Sequence, residues 1–111
     1  MEKIRHIETF KNYFEDFFVL LPQKVKDKYI WTFQLIEEVE HIPEIYLKHV
    51  VDGIYEIRVK FGTNICRTFC FFEVNKLVIL ANSIQKKTQK LPKKEIEKAL
   101  KIREEYNQEN K

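Results

Sequence analysis

Glycine, proline, cysteine and long apolar runs are all scarce in this 111-residue chain, and each scarcity removes a class of function. Two glycines cannot build a Gly-rich loop around a phosphate, which excludes nucleotide binding of the P-loop or dinucleotide kind. The two cysteines, Cys66 and Cys70, stand four apart in one expected strand, which sets their Cα atoms ~13 Å apart. A disulfide needs about 4.4 to 6.8 Å, so both are expected to be reduced, small and buried, as in a cytosol. His6, His41 and His49 are scattered, none at ligand spacing from the cysteines, so no metal site is expected. No apolar run approaches the ~20 residues of a membrane span, and MEKIRHIETF lacks the apolar stretch of a signal peptide. The expected location is cytoplasmic, away from membranes. Spacing suggests neither a Ser-His-Asp set nor a close carboxylate pair, and no histidine lies between Asp52 and Lys94.

What the chain does have is aromatic bulk and unevenly placed charge. Hydrophobic residues make up 44% and aromatics 14%, enough for one aromatic-rich core across residues 1–111, with the polar end at 107–111 expected to fray. The net charge of +3 is modest, but the window 56–94 holds nine basic residues against only Glu56 and Glu73. A basic zone on a balanced domain points to an anionic partner, although a solvated lysine-rich loop has the same composition.

Along the chain, Lys3 to Glu8 reads as a short strand at a sheet edge. From Thr9, a plausible N-cap, Phe10, Phe14, Phe17, Phe18 and Leu21 recur at helical spacing, and Pro22 ends that helix. A second helix is expected from Gln23 to Glu40 on the stripe Val25, Tyr29, Phe33, Ile36 and Val39, which completes an N-terminal helical hairpin. Phe14, Phe18, Trp31 and Phe33 are assigned to packing. Pro43 to Val51 then leads toward the sheet. Asp52-Gly53 and Gly62-Thr63-Asn64 read as turns around a strand, Ile54 to Lys60, whose Tyr55, Ile57 and Val59 face the core. Its other face carries Glu56, Arg58 and Lys60. Ile65 to Glu73 is apolar on both faces except for Arg67, as a central strand would be, and Leu77 to Ile84 forms a third. A polar loop, QKKTQKLPKK, follows, and Pro92 opens a last helix. The fold class is α+β, a helical hairpin and a C-terminal helix packed over one face of a twisted antiparallel sheet.

The chemistry implied is electrostatic. Arg58, Lys60, Arg67, Lys86 and Lys87 converge at one part of the sheet, with Lys90 close behind in sequence, and clustered cations bind a phosphodiester and stabilise the extra charge of its transition state. A ribonuclease of this kind uses the substrate's own 2′-hydroxyl as nucleophile and needs no metal. Proton transfer would fall to Glu56 or to a lysine whose pKa other cations depress. The alternative for Glu56 and Arg58 is a solvated surface ion pair.

The run LKH…DGIYEIRV, then NICRTFCFF, then LVILANSIQKKTQKLP, then EIEKAL resembles the RelE/ParE toxin superfamily, in particular its HigB-like, phage-related branch, over residues 4–106. The resemblance implies the toxin of a bacterial type II toxin–antitoxin pair, a ribosome-dependent mRNA endonuclease. It implies phosphate and transition-state roles for Arg58, Arg67, Lys86 and Lys87, with Glu56 or a lysine moving protons. Lys60 and Lys90 complete the RNA-binding set. The expected partners are the ribosome, mRNA and a cognate antitoxin of helix-turn-helix type encoded next door, with no small-molecule cofactor. Ile84 and Leu91 replace an aromatic and a Thr common in the family, and the acid/base Tyr or His of relatives has no counterpart. A ParE-like poison of DNA gyrase and a silent antitoxin-binding relic are the alternative functions. For the nuclease, Arg67→Ala is expected to abolish toxicity with the fold intact.

Overall fold

The chain reverses at Asp52 and Gly53 with φ of 46° and 78°, two left-handed residues in a row. That twist lets a two-residue loop join strands that are themselves right-twisted. The turn is one of several in a computed structural model that describes residues 2–74, 77–86 and 90–110. It joins β2 (Leu47–Val51) to β3 (Ile54–Phe61), and Gly62, at φ 61°, helps join β3 to β4 (Asn64–Glu73). β5 (Leu77–Lys86) completes an antiparallel meander in which each strand pairs with the next. The segment before Asp52, expected as a lead-in, is itself the edge strand β2.

The other edge is β1 (His6–Thr9), which lies parallel to β5 with His6 opposite Leu77, so the order is β1-β5-β4-β3-β2. The sheet is therefore mostly, not wholly, antiparallel. Thr9 belongs to this strand and cannot cap a helix. The first helix starts later, as α1 (Tyr13–Phe18) behind Asn12, and Leu21 lies beyond its end. α2 (Gln23–Glu38) begins behind Pro22, whose carbonyl accepts from Val25 and Lys26 at 3.0 Å, and α3 (Lys93–Glu109) begins behind Pro92.

Helices cover both faces of the sheet, not one. On the first face Phe14 from α1, Leu21, and Val25, Tyr29 and Ile36 from α2 pack on Ile57, Val59, Cys66, Cys70, Val78 and Leu80. On the second, Ala99, Ile102 and Tyr106 of α3 pack on Ile54, Phe69, Phe71, Ile79 and Ala81. Two-sided burial explains why β4 reads as apolar on both faces. Cys66 and Cys70 are free and buried on the first face, where loss of solvent pushes both thiols up.

Several polar ties fix the helices. The Arg5 guanidinium donates to the carbonyls of Ile36, Val39 and Glu40, closing the open end of α2. Tyr29 Oη lies 2.8 Å from Thr68 Oγ1, which lies 2.8 Å from Ser83 Oγ, a hydroxyl chain through the first core. Arg103 of α3 grips Asp52 at the hairpin, through both the carboxylate and the backbone carbonyl. The polar tail expected to fray is helical as far as Glu109. Tyr106 packs on Phe10 and Phe71 and donates to Glu73, a bond that pushes its phenol up to about 12. Lys11 pairs with Glu105 and Glu109 at 2.8 and 2.9 Å.

β5 carries one irregularity. Thr68 stands opposite Ser83 and Cys70 opposite Leu80, so Ala81 and Asn82 share the place opposite Phe69, a β-bulge. Asn82 uses it to donate from Nδ2 to the Glu95 carbonyl at 3.0 Å, pinning the start of α3. The radius of gyration, 13.3 Å, is that of a compact globule of this length. Among the described residues no helix is long and apolar enough to cross a membrane.

Candidate functional site

The second sheet face changes character along its strands, and the register shows where. The row Ile54, Phe71, Ile79 is apolar under α3. The next sets Lys48 opposite Glu56 and Glu56 opposite Phe69; the one after sets Arg58 opposite Arg67 and Arg67 opposite Ile84. Two arginines directly across a strand pair repel each other. Glu56, diagonal to Arg67, answers that repulsion. Its Oε1 lies 3.5 Å from Arg58 Nε and its Oε2 3.4 Å from Arg67 Nε.

This cluster is inside the protein. Glu56 is 4% exposed and Arg67 1%, whereas the Arg58 side chain keeps 19% of its surface in solvent. The Glu56–Arg58 pair is therefore not the solvated surface pair of the alternative reading, and Arg67 is at neither a rim nor an open surface. Burial pushes the Glu56 carboxyl above its ordinary range, and Arg67, Arg58 and Lys48 pull it part of the way back. Burial is the largest of these influences, so the net direction is upward.

Arg58 connects this interior to the surface. It lines a cleft of 420 Å³ with Lys60, Ile65, Lys28, Ile45 and Tyr46. The Arg58 amide donates to the Tyr46 carbonyl at 2.9 Å, which ties the approach to β2 against β3 and forms that wall. The structure thus brings Glu56, Arg58 and Arg67 into one cluster and Arg58 and Lys60 into one cleft. Lys90 is exposed ahead of α3 and is not among the residues lining the cleft. Lys86 ends β5 opposite Ile65; its side chain, and Lys87 altogether, lie outside the described residues.

Nothing in the sequence marks Lys28, Ile45 and Tyr46 as cleft residues, and Trp31, expected to pack, does so against Tyr46 at the surface. Trp31 is 44% exposed. Its position held the signal: it follows Tyr29, the centre of the buried stripe, by two residues, about 200° around the helix. Among the described residues no group of His, Cys, Asp and Glu is arranged to hold a metal ion.

Comparison with protein-family models matches residues 16–104 to one described as phage derived protein Gp49-like (DUF891). That span runs from within α1 to within α3 and holds the whole buried cluster and cleft. No curated protein matches the chain.

Proposed function

The chain belongs to the Gp49-like family of phage-derived proteins, a RelE-toxin-like family, and from that premise we propose that it is the toxin of a type II toxin–antitoxin pair. Its activity in this reading is HigB-like: metal-independent cleavage of mRNA on the ribosome. The observation that carries the reading is the Arg58–Lys60 cleft, whose arginine is held from behind by a buried carboxylate. An arginine fixed in this way offers its charge without the conformational cost of ordering a free side chain.

In this scheme Arg58 and Lys60 bind the phosphate and take up the charge that develops on its oxygens. The substrate 2′-hydroxyl attacks the adjacent phosphorus, an O2′–P bond forms and the P–O5′ bond breaks. A lysine of the basic face carries the proton from the 2′-hydroxyl to the leaving O5′, so no proton is gained or lost. Glu56 and Arg67 act as positioning residues, because Glu56 is enclosed and does not line the cleft. The ribosome supplies substrate alignment, and a neighbouring-gene antitoxin of helix-turn-helix type covers or distorts the basic face.

The test is induction in a bacterial host with and without the neighbouring gene, with transcript 5′ ends mapped by primer extension. New ends inside translated reading frames, abolished by Arg58→Gln and by the neighbour, are the expected result. Growth arrest without new ends, accompanied by cleaved DNA–gyrase complexes, would replace this reading with the gyrase poison. Unimpaired growth would leave only an antitoxin-binding protein.

A further inference from the structure

Tyr46 lines the cleft, and a second aromatic residue meets it from beyond the lining. Trp31 of α2 meets Tyr46 with ring centroids 5.4 Å apart and planes at 67°. Lys28 Nζ lies 4.5 Å from the Trp31 ring centre, and both Lys28 and Tyr46 line the cleft. Ile45 beside them is 64% exposed. A large indole left 44% in solvent on a helix whose other aromatics point into the core calls for an explanation. Its neighbours supply one: cations beside an aromatic surface are what a nucleotide needs, with phosphate on the cations and base on the ring.

From this arrangement we propose that Trp31 and Tyr46 form a stacking platform for one unpaired base of single-stranded RNA, next to the phosphate held by Arg58 and Lys60. The proposal rests on the nuclease reading for its choice of RNA. Lys28, now over the Trp31 ring, moves to a neighbouring phosphate when the base takes its place. The exchange is favourable because an exposed cation–π contact is weaker than base–aromatic stacking. Stacking accepts any base, so the platform contributes affinity and the position of the cut more than base identity.

Trp31 is the sole tryptophan, so its fluorescence reports the platform directly. A single-stranded oligoribonucleotide titrated into the full chain at low salt is expected to quench it. Tyr46→Ala and Trp31→Ala, measured by filter binding, are expected to weaken that RNA about tenfold without changing the salt dependence. Trp31→Phe restores most of the loss. Lys60→Gln weakens binding as well but lowers the salt slope by about 0.7, because it removes a phosphate contact and not a stack.

Fluorescence unmoved by RNA, or moved only by the antitoxin, overturns the platform and assigns this face to protein. So does a Trp31→Ala protein whose RNA affinity and cut-site distribution match the parent. Quenching by RNA in a chain that makes no new transcript ends supports the platform and fails the nuclease reading. The two therefore fall separately.

Discussion

Arg67→Ala tests the buried cluster most directly, and the structure reverses the sequence expectation that the fold would survive it untouched. The guanidinium is 1% exposed and lies 3.4 Å from a carboxylate that is itself 4% exposed. Removing it leaves Glu56 in low dielectric without its strongest cation, with Arg58, at 3.5 Å, and the weaker influence of Lys48 to answer its charge. Breaking a buried pair from one side costs about 3–5 kcal/mol, a large share of the ~5–15 kcal/mol that holds a domain together. At roughly 4 °C per kcal/mol, the melting temperature should fall by about 12–20 °C.

The loss also has a pH signature. Glu56 already titrates above its ordinary range in the folded state, and Arg67 is the strongest influence pulling it down, so the variant moves it further up. A carboxyl raised in the folded state binds its proton more tightly there, and stability from that group is lost as pH rises through the folded pKa. The penalty of Arg67→Ala should therefore be smaller near pH 4.5 than near pH 7.5, about the span over which a raised carboxyl ionises. Glu56→Gln in the same chain should recover part of it. Urea unfolding of wild type, both single variants and the double variant at the two pH values gives the cycle. A penalty below about 1 kcal/mol, the same at both pH values and untouched by Glu56→Gln, would refute the argument. Lost toxicity in Arg67→Ala alone is consequently no evidence of a catalytic role.

Glu56→Gln keeps the shape and removes the charge that holds Arg58, so RNA cleavage should fall about tenfold or more, alongside a loss of stability because Arg67 stays buried beside a neutral amide. The wild-type rate should drop on acidification as the carboxyl, raised by burial, protonates, and the Gln variant should lack that limb. Tyr29→Phe removes the buried hydroxyl that meets Thr68 and should cost about 1–3 kcal/mol in thermal or urea unfolding. Gly53→Ala puts a side chain at φ 78° with its Cβ 3.0 Å from Arg103 Nη1. It should cost about 1–2 kcal/mol from the backbone alone, and Asp52→Ala, which starts from a residue that already carries a Cβ at φ 46° and loses an exposed contact to Arg103, should cost less.

Where interactions are local, the sequence predicts the structure well. Asp52-Gly53 carries its own turn geometry, the stripe from Val25 to Ile36 its own helix, and the three strands after Asp52 fall where alternation and turn residues put them. Contacts between distant segments are hidden. Nothing near Thr9 signals that His6–Thr9 will lie parallel to β5, so a helix cap was expected where a strand ends. Apolar residues on both faces of β4 were visible, but α3 was not assigned to its own side of the sheet, which made Glu56 look solvated. Arg58 and Arg67 are nine apart in the chain and become direct cross-strand neighbours only through the β3–β4 register. The site's residue types were therefore legible and its burial was not.

The bulge at Ala81 and Asn82 has a bearing on how such a chain can change length. Strict alternation along β5 would carry Ser83 and Ile84 on the faces opposite to those they occupy. With one extra residue opposite Phe69, Ser83 meets Thr68 on one face and Ile84 falls in the row of Arg58 and Arg67 on the other. A single-residue deletion here would leave a regular ladder in which Ser83 still meets Thr68 and Ile84 still falls opposite Arg67. What it would remove is the extra length that carries Asn82 to the Glu95 carbonyl, whereas an insertion that no second bulge absorbs would exchange the two faces from Ser83 onward. The bulge is therefore where β5 can take up a change in length without turning the site over, and gains and losses of residues should fall there or in the turns, not along the regular parts of the strand.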